Sequence, residues 1–391
     1  MPEQKLIRQL TRYKKGYPLL EKDTVAEKET KEWCRFVDER GHFVAWGYLG
    51  KQNKGRGWLF SWNDAAPTER FFMRLFTKAF EKRTAFQQNP LTDCFRLFNG
   101  EGDGLGGITI DDYAGYLVIS WYNATIFAHQ GELLRALTQA AEKTGFAVHG
   151  IYQKERFPGG AQASHIAGDT APAPLLVKEN GVSYAVYLNE GWMTGIFLDQ
   201  REVRGKLVDG LARGGRVLNT FSYTGAFSLA ALMGGAAQTV NVDLAKRSLA
   251  KTREQFEING IDADQEEIRV MDVFAYLKYA AKKKLTFDVV ILDPPSFARN
   301  KKKVFSVAKD YEPLVAAAQK LIKNGILIAS TNAANMDLKH FRRQVDAALL
   351  AAGREYAITE ILRLPPNFAV DPHFPEGNYL KVLFIKLKEG N

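Results

Sequence analysis

Cysteine is nearly absent: among 391 residues only Cys34 and Cys94 occur, far apart and in no metal-ligand spacing. A disulfide framework and a zinc site are therefore excluded as organising principles, no metal is expected, and a reducing cytoplasm suits the chain. Long hydrophobic runs are lacking as well, and none approaches the ~20 residues of a membrane span. The opening Met1-Pro2-Glu3-Gln4-Lys5 is charged and carries none of the apolar core of a signal peptide. What remains is the composition of a globular protein, 46% hydrophobic and 25% charged, too long for one ordinary core.

Acidic charge is in deficit, with 53 Lys+Arg against 44 Asp+Glu and a formal charge of +9. Residues 1–86 hold 18 Lys+Arg and 11 Asp+Glu, so +7 of the excess lies in the first fifth of the chain. A basic module on a more neutral body suits a polyanionic partner, in which neutralised phosphates supply affinity. Scattered solubilising lysines account for the charge equally well.

The patterning divides the chain into three. Residues 1–72 read as β-rich: Cys34–Asp38 and His42–Trp46 flank a Glu39-Arg40-Gly41 turn, with further strands at Gly47–Leu49 and Gly57–Trp62. Small basic, aromatic-rich β-modules often bind RNA by backbone contacts and stacking, although most of Trp33, Trp46, Trp58 and Trp62 are expected in a barrel core. Residues 73–190 read as a small α+β unit with helices at Phe71–Phe86 and Gln130–Lys143 and several strands. Its turn Gly102-Asp103-Gly104-Leu105-Gly106-Gly107 precedes a strand, not a helix, so it lacks phosphate-cradle geometry and is expected to be structural. Phe157–Pro174, rich in Gly, Ala and Pro, reads as a loop or linker. Residues 191–391 alternate short apolar strands with amphipathic helices, the pattern of a parallel sheet covered on both faces. Two strands without an intervening helix, Tyr356–Arg363 and Tyr379–Leu387, close it as an antiparallel pair.

Four elements on successive strand ends carry chemistry. In Val217–Phe227 a strand enters a tight turn and then a helix starting near Thr224. The single glycine, Gly225, favours one carboxylate over a pyrophosphate, which would need G-x-G-x-x-G. Asp243, with Leu244 after it, ends the next strand, where an acid can accept ribose hydroxyls or cap the helix Ala245–Ile258. Asp272 can receive an adenine amino group while Val273 packs on the ring, or can cap a helix. Asp293-Pro294-Pro295-Ser296-Phe297 is the most specific. Two prolines fix carbonyl directions without local N–H competitors, Asp293 can grip an amino group or base edge, and Phe297 can stack. Together they indicate S-adenosylmethionine and methyl transfer, which needs alignment and water exclusion more than protein chemistry.

At these residues the sequence resembles bacterial large-subunit rRNA methyltransferases with an N-terminal PUA domain, a small middle domain and a class I methyltransferase domain. The segments carrying the resemblance are Arg96–Asp111, Thr194–Arg201, Phe221–Gly225 and Asp293–Phe297. It implies α/β architecture: a Rossmann-like, seven-stranded mixed sheet with its last strand antiparallel, a PUA-like β-barrel and an α+β middle domain. It also implies an S-adenosylmethionine site lined by Gln200, Arg201, the turn Asn219, Phe221, Ser222, Tyr223, Thr224 and Gly225, and by Asp243, Asp272 and Asp293. In 5-methylcytosine enzymes of the family, the strand after D-P-P ends in Ser-Cys. Here the stretch is Ala329-Ser330-Thr331-Asn332-Ala333-Ala334, with Asn332 where the cysteine would be. Pyrimidine C5 requires thiolate addition at C6 before it can attack a sulfonium. The expectation is therefore a nitrogen target, in RNA and most naturally rRNA. Alternatives are a tRNA, protein or small-molecule methyltransferase, a non-catalytic assembly factor, and more distantly a dehydrogenase. Ala298–Lys303 and His373–Tyr379 are candidate substrate loops or plain surface turns, and a homodimer is left open.

Overall fold

The computed structural model describes residues 4–8, 10–25, 30–51, 55–299 and 304–388. The chain forms two compact units. The first comprises Met1–Val177, Val186–Thr194 and Pro366–Gly377, and the second Lys178–Ala185, Gly195–Pro365 and Asn378–Asn391.

In the first unit, β1 (Gln4–Leu6), β2 (Leu19–Leu20), β3 (Cys34–Val37), β4 (Phe43–Leu49) and β5 (Gly57–Ser61) form a sheet of order β1-β3-β4-β5-β2. The Glu39–Gly41 turn is held by the Asp38 carboxylate, which accepts from the amides of Arg40 and His42 at 3.0 and 2.9 Å. Gly47–Leu49 is not a separate strand. It continues β4, and the register shift there lies in the partner strand: Trp46 and Gly47 face Ser61 and Leu59, so the extra residue is Phe60 of β5. Trp46 and Trp58 are buried as expected, whereas Trp62 stays 37% exposed.

A second sheet of order β10-β9-β8-β7-β6 contains β6 (Cys94–Asn99), β7 (Ile108–Tyr113), β8 (Tyr116–Trp121), β9 (Gly150–Glu155) and β10 (Ser164–Gly168). The β10 strand corrects the reading of Phe157–Pro174 as a loop. It is a half-exposed edge strand paired to β9, and its small, polar residues hide the alternation. Helices Glu69–Lys82 and Gln130–Thr144 add Phe72, Phe76, Phe80 and Leu137 to a core that also holds Trp46, Trp58, Phe98 and Leu117, so both sheets share one apolar interior. The glycine-dense turn serves that packing. A Cβ on Gly106 would stand 2.2 Å from the Trp58 ring, and the Tyr48 hydroxyl donates to the Gly106 carbonyl at 2.8 Å. Asp103 in the same turn is buried against Arg83, which makes two hydrogen bonds to it at 2.8 and 2.7 Å. Phe374, in a segment read as a turn or substrate loop, packs instead into this core against Trp58 and Tyr17. The strands β11 (Leu175–Glu179) and β12 (Val182–Val186) pair as a hairpin where the chain leaves the unit.

The second unit is built on seven strands: β13 (Arg216–Thr220), β14 (Gln238–Asp243), β15 (Glu267–Val270), β16 (Val289–Leu292), β19 (Gly325–Thr331), β20 (Tyr356–Leu362) and β21 (Lys381–Leu387). A small ribbon of β17 (Phe297–Arg299) and β18 (Val304–Ser306) follows β16. The order is β15-β14-β13-β16-β19-β21-β20, and β21 alone runs opposite to the other six strands, matching the expected mixed sheet. Period-two alternation explains why its central strands are continuously apolar. Val290 and Leu292 pack with helices Val273–Lys282, Val307–Ala318 and Leu338–Ala351, while Val289 and Ile291 pack with Ala226–Met233. The chain leaves β13 toward β14 and β15 and then returns to β13's other side as β16. Ligands of open α/β sheets bind beyond the carboxyl ends of strands at such a switch point.

Candidate active site

The loop after β13 is a chain of left-handed residues: Phe221, Tyr223 and Gly225 have φ of 54°, 52° and 78°. For the two non-glycine residues this costs ~1–2 kcal/mol each, so surrounding bonds must impose it. The Ser222 amide donates to Val242 at 3.1 Å, the Tyr223 amide to Asp243 Oδ2 at 2.9 Å, and the Thr224 hydroxyl to the Gly195 carbonyl at 2.7 Å. Gly225 is required twice over: its φ is left-handed, and a Cβ would stand 2.6 Å from Thr252 Cγ2. Because Gly225 breaks helical geometry, the helix begins at Ala226 rather than near Thr224, and no side chain caps it.

Asp243 is occupied by backbone donors. Besides Tyr223, the Ala245 amide reaches Oδ1 at 2.8 Å. It does not cap the next helix, which spans Arg247–Glu257 with Lys246 at its cap instead of running from Ala245 to Ile258. Leu244 beside it is 53% exposed. Asp272 does cap its helix, accepting from Ala275 at 3.0 Å. Val273 is buried in the core with Tyr276 and Leu277. Asn219 is also fully buried: its amide donates to Ser228 beneath the helix at 3.1 Å, so its side chain faces the packed layer.

The tightest constellation lies beyond β16 and β19. Gln200 is buried, and its Nε2 donates both to Asp293 Oδ1 at 3.0 Å and to Ser330 Oγ at 2.8 Å. Burial pushes the Asp293 carboxyl up to about 6. Hydrogen bonds from Ser330 and Gln200 and the charge of Arg204 oppose the rise, and the charge of Asp199 adds to it. The Tyr311 hydroxyl donates to the Ser330 carbonyl at 2.9 Å, fastening this strand end from below. Pro294 is buried and Pro295 exposed. The Ser296 hydroxyl donates to Asn332 Oδ1 at 2.7 Å. Lys381, also buried, holds the loop carrying Asn332 by donating to the carbonyls of Ala333 and Met336, each at 2.7 Å. The side chain of Phe297 and residues 300–303 of the basic loop lie outside the described residues.

Sequence reading missed the support for Gln200. Arg204 and Glu179 are buried and paired through two bonds of 2.6 and 2.8 Å, and Arg204 also donates to the Phe197 carbonyl at 2.7 Å. The available signal was spacing, because residues 200 and 204 share one helical face. Arg201, by contrast, is buried and turned to Glu202 at 2.7 Å.

A sheet of this order with one reversed strand, and acids at the ends of β14 and just beyond β15 and β16, defines a class I methyltransferase domain. Comparisons agree: a family model for S-adenosylmethionine-dependent methyltransferases matches residues 95–384, and a PUA-like domain model matches residues 8–62. YwbD of Bacillus subtilis (strain 168), provisionally named a ribosomal RNA large subunit methyltransferase, is 47% identical over 386 residues, 96% of each chain. Ribosomal RNA large subunit methyltransferase I of Aeromonas salmonicida (strain A449) is 34% identical over 344 residues, 86% of this chain and 85% of its own. The crystal structure of SMU.776, a provisionally assigned methyltransferase complexed with SAH, has a TM-score of 0.91 at 41% identity, covering 99% of this chain and 100% of that one. The protein belongs to the S-adenosylmethionine-dependent methyltransferase family. No helix among the described residues is long and apolar enough to cross a membrane.

Proposed function

We propose that the protein transfers the methyl group of S-adenosylmethionine to a base nitrogen of large-subunit ribosomal RNA in the cytoplasm. The RNA class is supported by the names of the two relatives, by the PUA-like match and by the basic N-terminal stretch. In this reading residues 1–72 target RNA, 73–190 form the middle domain and 191–391 carry out the transfer.

The residues present suit the cofactor. Gln200 Oε1 and Ser222 Oγ are buried polar atoms with no hydrogen-bond partner among the described residues, and leaving such atoms unsatisfied costs ~1–3 kcal/mol each. An acceptor and a hydroxyl are what an amino acid's ammonium and carboxylate require. The uncapped start of helix Ala226–Met233 adds amide donors for the carboxylate. Asp243 would accept ribose hydroxyls with lone pairs not used by its two amides, Leu244 would cover the adenine, and Asp272 would receive its amino group. S-adenosylmethionine, when bound, supplies a methyl group already activated on a sulfonium. The chain's task is to aim a lone pair at it and exclude water. The Asp293 carboxyl and the carbonyl directions set by Pro294 and Pro295 would hold the amino edge of the target base.

The observation carrying the nitrogen assignment is the Ser296–Asn332 bond. Where a C5 methyltransferase needs a thiolate, this chain holds an amide whose oxygen accepts from Ser296, and Cys34 and Cys94 are both buried in the first unit. An amide cannot add to C6 of a pyrimidine, but it can donate a hydrogen bond to a base. Mass mapping of 23S rRNA from cells with and without the protein tests this. A protein-dependent methylated nitrogen is expected. Protein-dependent 5-methylcytosine would overturn the nitrogen target, and an unchanged rRNA map would overturn the substrate.

A further inference from the structure

We infer that the first unit bears a stacking platform for an unpaired RNA base, formed by Tyr122, Arg156 and Trp192. The inference rests on the RNA reading above and adds to it a contact surface outside the methyl-transfer site.

The parallel strands β8 and β9 end side by side, with Trp121 opposite Glu155. The next residue of each strand is therefore presented at the same edge: Tyr122 from one and Arg156 from the other. The Arg156 guanidinium lies over the Tyr122 ring, 6.0 Å from its centre, and its Nε donates to Ser120 Oγ at 3.3 Å. Its Nη2 donates to the Trp192 carbonyl, while Lys154 on the same strand donates to the Gly191 carbonyl at 2.8 Å. Two cations thus grip the crown of the 187–194 loop. Its neck is closed by the Tyr187 amide bonding to the Thr194 carbonyl at 2.7 Å, and by the Tyr113 and Thr194 hydroxyls at 2.8 Å.

This fastening does not bury the loop's apolar side chains. Trp192 is 48% exposed, Met193 38% and Tyr122 36%, and the indole stacks on no other ring among the described residues. A large exposed aromatic on a backbone pinned by two cations has little conformational entropy left to lose on binding. Acidic neighbours are few: Asp111 and Glu190 act on Lys154, and Asp111 is itself paired with Arg96 at 2.5 Å. Exposed aromatic faces beside the Arg156 guanidinium match single-stranded nucleic acid, whose bases stack and whose phosphates neutralise that cation, while the buried Lys154 serves only to hold the loop.

The test uses the full-length chain and a fluorescein-labelled single-stranded RNA 12-mer, with the same RNA annealed to its complement for comparison. Trp192→Ala and Tyr122→Ala should each weaken binding of the single strand by about tenfold. Trp192→Phe should retain most of it, binding of the duplex should change little, and S-adenosylmethionine affinity should not move. With 23S rRNA as substrate, KM should rise more than kcat falls. Wild-type RNA binding left intact in both alanine variants would overturn the platform alone. Absence of RNA binding in the wild type would overturn the RNA reading itself. If Trp192→Phe behaved like Trp192→Ala and both lost cofactor affinity, Trp192 would be a structural residue and the platform would be overturned.

Discussion

Ser296 and Asn332, from loops following two adjacent strands, are joined by a single hydrogen bond in which the serine hydroxyl donates to the amide oxygen at 2.7 Å. The bond fixes which end of the amide is turned away from Ser296: the nitrogen, a donor. If that donor orients the target base, Ser296→Ala should leave cofactor affinity unchanged and lower kcat/KM by about 2–10-fold, the worth of one modest hydrogen bond of ~0.5–1.5 kcal/mol. Asn332→Ala should cost more. Steady-state kinetics on 23S rRNA fragments would measure both, and equal, wild-type values would remove Asn332 from substrate recognition.

Gln200 spans Asp293 and Ser330 with one nitrogen, so its removal leaves both acceptors short of a donor. Gln200→Ala should weaken S-adenosylmethionine binding by at least tenfold and lower stability by ~1–3 kcal/mol, the cost of unsatisfied buried polar groups. Gln200→Glu should be worse, because it sets a second carboxylate against Asp293. Isothermal titration and thermal unfolding of the same samples would check the pair of effects.

The Arg204–Glu179 pair predicts a different signature. Its side chains are 2% and 0% exposed, so breaking it strands a buried charge. Arg204→Met or Glu179→Gln alone should cost ~3–5 kcal/mol, whereas the double variant Arg204→Met/Glu179→Gln should recover part of that loss. Urea unfolding would show it, with equal additive losses counting against a coupled pair.

The division between what patterning reveals and what it hides follows from range. The mixed sheet was readable because buried parallel strands are continuous apolar runs separated by amphipathic helices. Asp243 and Asp293 were readable because strand ends at a switch point have fixed positions. Val273, taken as the neighbour of Asp272, is the first residue of a helix and packs into the core, while Asn219, taken with the 219–225 turn, sits on β13 with its amide donating to Ser228. β10 was missed because an edge strand needs no apolar alternation. The Arg204–Glu179 pair joins residues 25 positions apart, and Ser296–Asn332 joins residues 36 apart. Such partners are chosen by topology, which no local window contains.

Asp293 should make stability and activity respond to pH in opposite directions. Its carboxyl sits at about 6 in the folded chain, against an ordinary 3.8, chiefly because burial penalises the charge. A raised carboxyl means that the folded state holds its proton more tightly than the unfolded state. The stabilisation this gives is fully present below about pH 4 and is lost as pH rises through 6. Asp293→Asn removes the charge without changing the shape, so it should raise the melting temperature of the cofactor-free protein at pH 7.5 and leave it nearly unchanged at pH 4. If the ionised carboxylate is what holds the amino edge of the base, kcat/KM should climb with pH along an apparent pKa near 6, and Asp293→Asn should flatten the profile at a low value. Melting curves from about pH 4 to 8 and kinetics across the same range separate the two roles. A variant stabilised at pH 7.5 with an unaltered activity profile would leave Asp293 as a buried charge with no part in holding the substrate.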